Sequence, residues 1–227
     1  MTSTPSIIVF DVNETLSDLA PMSARFVDVG APASLANVWF ASLLRDGFAL
    51  AAARGRAPFA VIAAEMLREV LHDVTLNCSL DDATTRILEG FATLGVHQDV
   101  EPGIRALRSA GFRLVTLSNG SAQVAETLLG RAGIRDQFDA ILSVEDAPAW
   151  KPVGAAYGYA ADACVVRPAD MLLVAVHPWD IHGAAKAGLR SAWLNRSDRV
   201  YPSYFAAPDY TVRSLSELAD RLGGMQH

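Results

Sequence analysis

Cysteine is scarce in this chain: Cys78 and Cys164 are the only two in 227 residues, and they lie far apart. Neither belongs to a cluster with metal-ligand spacing, so each reads as a small buried apolar residue rather than a disulfide partner or a ligand. That usage suits a reducing, cytoplasmic setting. Basic charge is also thin. With 19 Lys and Arg against 25 Asp and Glu, the formal net charge is −6, which argues against a nucleic-acid partner, whose phosphates demand clustered cations. No apolar stretch reaches the roughly 18 to 20 residues needed to span a bilayer. The first residues carry neither a basic region nor a small-residue cleavage site, so neither membrane insertion nor secretion is expected. What is present is a chain with 51% hydrophobic and 19% charged residues, enough for a full core and too apolar for disorder. Its length allows one large domain, or one domain with a sizeable insertion.

The apolar pattern changes character along the chain. Ser6 to Phe10 is a short β-branched and aromatic run that reads as a buried parallel strand. From Leu19 to Gly95 no strand is legible. Apolar residues recur there at helical spacing over Ser34 to Ala53, Ala57 to Asp73 and Leu80 to Leu94. Ser79 is the N-cap of the third segment, since Asp81 and Asp82 then fall in a first turn where the helix dipole favours negative charge. After Val100 strands and helices alternate: strands at Arg113 to Leu117, Phe138 to Leu142, Met171 to Val176 and Ser191 to Leu194, and helices at Ala122 to Ala132, Gly154 to Cys164 and Ile181 to Ala187. Alternation of this kind predicts right-handed βαβ units and a parallel sheet. The fold class is therefore α/β, with a Rossmann-like parallel-sheet core formed by residues 1–17 and 97–227 and a helical cap, residues 18–96, inserted after the first motif. Such a block would close a small pocket over the strand ends against water.

Four segments place functional groups at strand ends or helix starts. Asp11 ends the first apolar run, where open α/β sheets gather their ligands; a carboxylate there is a candidate nucleophile, or else it caps the turn that follows. Ser118, Asn119 and Gly120 end the next strand with a hydroxyl, an amide and a flexible residue, either a plain turn or a cradle for anionic oxygens. Lys151, between Trp150 and Pro152, puts an ammonium just ahead of a helix, with the proline fitting a helix start. Val174 to Asp180 ends a hydrophobic strand in His177, Trp179 and Asp180. Four such segments in this order are far more specific than any one of them.

In that order they resemble the haloacid dehalogenase-like superfamily, and most of all its L-2-haloacid dehalogenase branch. The resemblance covers nearly the whole chain, with specific core motifs and a less specific cap. It implies an Asp, here Asp11, that attacks the α-carbon of a short 2-haloacid, displaces halide and forms an ester that water then hydrolyses. It also implies that Thr15, Ser118, Asn119, Lys151, Tyr157 and Asp180 surround this Asp, that Trp179 lines an apolar pocket, and that the protein is a homodimer. The same superfamily holds magnesium-dependent phosphatases, which carry a second acidic residue where this chain has Asn13; an amide cannot donate and recover a proton near neutral pH. Where many of them have a Gly-Asp pair, Ala175 and Val176 stand here. With one carboxylate fewer and Lys151 nearby, the site reads as free of metal and cofactor.

On this reading Lys151 keeps Asp11 ionised, Ser118 and Asn119 hold the substrate carboxylate, and Asp180 or His177 orients or deprotonates the water. Trp179 with Phe40 or Phe59 would receive the halide, although such rings are also ordinary core. Two departures stand out. Trp39 is followed by Phe40 where the family has an arginine, leaving Arg45 as a substitute if it faces inward. Ala175 and His177 replace the family's Ser and Asn. A phosphatase of the same superfamily, or a non-catalytic relative that binds a small carboxylate, are the other readings.

Overall fold

The computed structural model describes residues 5–224, and the chain divides into two compact units. One is built from residues up to Ser17 together with those from Val96 onward; the other runs from Asp18 to Gly95. Val96 pairs with Ser17 in an isolated antiparallel bridge and so lies with the first unit.

That first unit is a six-stranded sheet, parallel throughout. Its strands are β1 (Ile7–Phe10), β2 (Arg113–Ser118), β3 (Ala140–Ser143), β4 (Met171–Ala175), β5 (Arg190–Leu194) and β6 (Tyr210–Val212), in the order β3-β2-β1-β4-β5-β6. The four residues of β1 are wholly buried, as a central strand covered on both faces must be. The chain leaves β1 toward β2 and β3, then returns to the other side of β1 for β4. The β1/β4 boundary is thus the switch point at which two connections diverge and leave a crevice beyond the strand ends.

The second unit is helical: α1 (Met22–Asp28), α2 (Leu35–Ala52), α3 (Phe59–Leu71) and α4 (Leu80–Ala92). Its interior is a cluster of rings. Trp39 and Phe91 meet edge to face at 5.7 Å, Phe59 stacks on Phe91 at 5.5 Å, and Trp39 donates its indole N–H to the Ala63 carbonyl at 2.9 Å. Ser79 caps α4 by accepting the Asp82 N–H.

Back in the sheet unit, α5 (Val100–Ser109), α6 (Ala122–Arg131), α7 (Gly154–Cys164), α8 (Pro178–Lys186) and α9 (Leu215–Gly223) cover the strands. No helix among the described residues is long and apolar enough to cross a membrane.

Several boundaries differ from the sequence expectation. The helix expected from Ala57 begins at Phe59, because Pro58 is extended and disfavours helical geometry in the residue before it. The strand expected from Phe138 begins at Ala140, since a 3₁₀ turn at Arg135–Gln137 ends on Phe138. Pro152 is not a helix start; α7 opens two residues later. The helix expected from Ile181 begins at Pro178 instead, with proline at its first position. Trp179 and Asp180 therefore sit in the first turn of α8. Helices α1, α5 and α9 and edge strand β6 were not anticipated.

Candidate active site

Asp11 follows β1 directly and extends the ladder by donating its N–H to the Val174 carbonyl of β4 at 3.1 Å. Its side chain is buried and both oxygens are engaged. Oδ1 accepts from the Lys151 ammonium at 2.9 Å; Oδ2 accepts from the Thr15 hydroxyl at 2.7 Å and faces Nδ1 of His177 at 3.1 Å. Lys151, one of only two lysines in the chain, has no solvent exposure and also reaches Asp180 Oδ2 at 2.6 Å. One cation thus bridges two buried carboxylates that stand on opposite sides of the switch point. Removing Lys151 would leave two buried carboxylates without their cation.

Other groups fix these three. The Asn119 side chain pairs with the Lys151 backbone in both directions, accepting its N–H at 3.0 Å and donating to its carbonyl at 3.2 Å. Tyr157 of α7 donates to Asp180 Oδ1 at 2.6 Å. Gly183 lets α8 approach closely, since a Cβ there would lie 2.5 Å from the Tyr157 hydroxyl and 2.7 Å from Pro152. Thr15 accepts the Val176 N–H at 3.1 Å, which turns its own proton toward Asp11. The turn carrying Thr15 is tied to the segment after β5 by Arg196, which donates to the Thr15 carbonyl and pairs with Asp99 at the start of α5.

The environment drives the two carboxylates apart. Burial pushes Asp11 up, but Lys151, His177 and Thr15 together outweigh it and hold Asp11 far below the usual carboxylate range. Asp180 moves the other way: burial raises it, Lys151 opposes, and the neighbouring Asp11 charge adds to the rise. Burial would discharge Lys151, yet the two carboxylates hold it above its ordinary value. One carboxylate poised as an anion beside another that takes up a proton more readily is a division of labour seen in acid and base chemistry.

His177 has contacts on both ring nitrogens, with Asp11 on one side and Glu14 Oε2 at 2.7 Å on the other. Burial lowers its proton affinity, and the bonds to the two carboxylates more than restore it, to about 9. Trp179 stacks on the His177 ring at 5.0 Å, and the Lys151 ammonium lies 5.9 Å from the Trp179 ring. Ser118 is buried at the end of β2, where its Oγ accepts the Gly120 N–H at 2.9 Å and keeps its proton to donate. Asn13 is buried in the turn after Asp11.

The remaining named residues belong to the helical unit. Phe40 is buried against Trp39 and Phe91, and Phe59 against Phe91. Arg45 is 61% exposed and pairs with Asp46 at 2.7 Å, with Met66 Sδ at 3.8 Å. The sequence reading passed over Glu14, Gly183 and Arg196. Only Glu14 had a signal, its place between Asp11 and Thr15; the other two act through contacts that local sequence does not carry.

A wholly parallel sheet with helices on it and an aspartate at the end of its central strand, paired to a buried lysine, defines a Rossmann-like α/β protein with a candidate carboxylate nucleophile at its switch point. The sequence profile of the haloacid dehalogenase-like hydrolases matches residues 5–188, and the chain belongs to that family. Haloacetate dehalogenase H-2 of Moraxella sp. (strain B) is 31% identical over 149 residues, 66% of each chain, so the match spans just under two thirds of that enzyme. (S)-2-haloacid dehalogenase 1 of Pseudomonas sp. (strain CBS-3) is 28% identical over 216 residues, 94% of this chain and 95% of its own length. Among solved structures, an L-2-haloacid dehalogenase superposes with a TM-score of 0.89 at 27% identity, over 97% of this chain and 99% of that one.

Proposed function

We propose that the protein hydrolyses short 2-haloacids to 2-hydroxyacids through a covalent ester on Asp11. The observation that carries this reading is the buried Lys151 bridging Asp11 and Asp180. A carboxylate that is dry, ionised and held by a fixed cation is an activated nucleophile toward carbon, and the similar proteins named for haloacid or haloacetate dehalogenation support a carboxylate-bearing substrate. Asp11 attacks the α-carbon in line and halide departs with the bonding pair. Ser118 has a proton to offer the substrate carboxylate.

The second step needs a base, and Asp180 suits it better than His177. Both partners of His177 are carboxylates, so both of its nitrogens donate and neither is free to take a proton. Asp180, by contrast, has a raised proton affinity. The reaction needs no metal on this reading. A divalent cation seeks several oxygen ligands in near-octahedral array, and the space between Asp11 and Asp180 is taken by the Lys151 ammonium. Asn13 in place of a second acid argues in the same direction against phosphate-ester hydrolysis.

The test is halide release from 2-chloropropionate in heavy-oxygen water with chelator present. Turnover should persist, the Asp11 peptide should gain label, and Asp11→Asn should lose on the order of 10⁵-fold in rate or more. Phosphate-ester turnover that chelator abolishes, without halide release, would overturn the reading.

A further inference from the structure

We propose that Thr15 and His177 form the oxyanion cradle for ester hydrolysis, with Glu14 as the positioning residue that keeps His177 a donor. This rests on the covalent-ester reading. Asp11 has two oxygens in unequal surroundings. Oδ2 meets two donors, Thr15 at 2.7 Å and His177 at 3.1 Å, whereas among the described residues Oδ1 meets only Lys151. The oxygen with fewer donors is Oδ1, so Oδ1 bonds to the substrate and Oδ2 becomes the ester carbonyl oxygen.

The electron count follows. Water attacks Cγ and passes a proton to Asp180, while the carbonyl pair moves onto Oδ2. That pair returns as the Cγ–Oδ1 bond breaks, the departing alkoxide takes the proton back from Asp180, and the Asp11 carboxyl releases its own proton to solvent. Negative charge therefore develops on Oδ2, where both donors already point. Donors fixed in advance around a developing charge stabilise the transition state without reorganisation.

Each donor is held by a second contact. The Val176 N–H occupies the Thr15 oxygen and aims its hydroxyl proton at Oδ2. Glu14 takes the far nitrogen of His177. The backbone at Glu14 has φ 61°, in the left-handed region, and its carbonyl is bonded by His97 Nε2 at 2.9 Å. Non-glycine residues rarely adopt that conformation, and here the Glu14 carboxylate meets the imidazole. The titratable groups around the ring are Asp11 and Glu14 in contact, Lys151 and Asp180 beyond Asp11, and His97 at the Glu14 carbonyl.

The experiment is rapid-quench kinetics of the full chain with 2-chloropropionate, following halide release and the ester mass on the Asp11 peptide separately. In His177→Ala, a halide burst of one per site should survive, ester should accumulate, and its hydrolysis should slow on the order of 10²- to 10³-fold. In Glu14→Gln the high-pH limb of ester hydrolysis should move down from about 9, with the burst unchanged. If halide release and ester hydrolysis slow together, or if the Glu14→Gln limb stays in place, the cradle is wrong. A wild-type chain that forms no ester refutes the underlying chemistry instead, a different result.

Discussion

The two units bury opposite things. The helical unit puts rings inside, Trp39, Phe40, Phe59 and Phe91, and the one indole N–H among them is satisfied by the Ala63 carbonyl; its charges, such as Arg45 with Asp46 and Arg68 with Glu65, stay at the surface. The sheet unit surrounds an equally apolar set of strands but buries Asp11, Lys151 and Asp180 beyond their ends. Buried apolar area stabilises by about 25 cal/mol per Å², while buried charge repays its desolvation only when every partner is in place. The helical interior needs no explanation beyond folding. The charged cluster does, and its chemistry supplies one.

If the triad is kept for reaction rather than stability, Lys151→Met should have the largest effect. Turnover should fall by more than about 10³-fold, and the unfolding free energy should drop by roughly 3–5 kcal/mol as two carboxylates lose their cation. The combined variant Asp11→Asn, Lys151→Met, Asp180→Asn should recover most of that stability with no turnover at all. Urea denaturation of the two variants checks it. A triple variant as unstable as Lys151→Met would mean that the charges hold the fold, and the contrast between the units would fail.

Gly183→Ala probes the same cluster from behind. The added Cβ would press on Tyr157 and Pro152, costing about 1–3 kcal/mol. It would also displace the Asp180 turn, for which a loss of around 10²-fold in activity is the expected scale. Unchanged kcat with lowered stability would show that the Asp180 position tolerates more slack than its contacts suggest.

The strand-end residues were legible because residue type and place coincide: an acid after a buried run at Asp11, another after the run ending at Ala175, and a lysine in a chain with few cations. Placing Asp180 on a helix rather than in a loop required seeing that Pro178 begins α8, since a proline after a histidine reads equally well as a turn. Helix α5 was missed because Pro102 and Gly103 lie in it; proline is tolerated in a first turn, where N–H groups lack helical partners anyway. Strand β6 is three residues long at the sheet edge, too short to show a period. The roles of Asn119 and Glu14 depend on contacts 32 and 163 residues distant in sequence, which no local pattern encodes.

Arg45 carries the smallest expected effect and sharpens the comparison most finely. The family likeness reserves a cap arginine for the substrate, and Arg45 is the nearest cation to that place. Its guanidinium is exposed and held by Asp46 and Met66 within the helical unit, the environment of a surface ion pair screened by solvent. Arg45→Ala should therefore leave both the urea midpoint and KM for 2-chloropropionate nearly unchanged. A tenfold rise in KM, about 1.4 kcal/mol of lost binding, with kcat preserved would instead assign Arg45 to the substrate carboxylate. The helical unit would then contribute charge to recognition, and the division between a unit that packs and a unit that reacts would no longer hold.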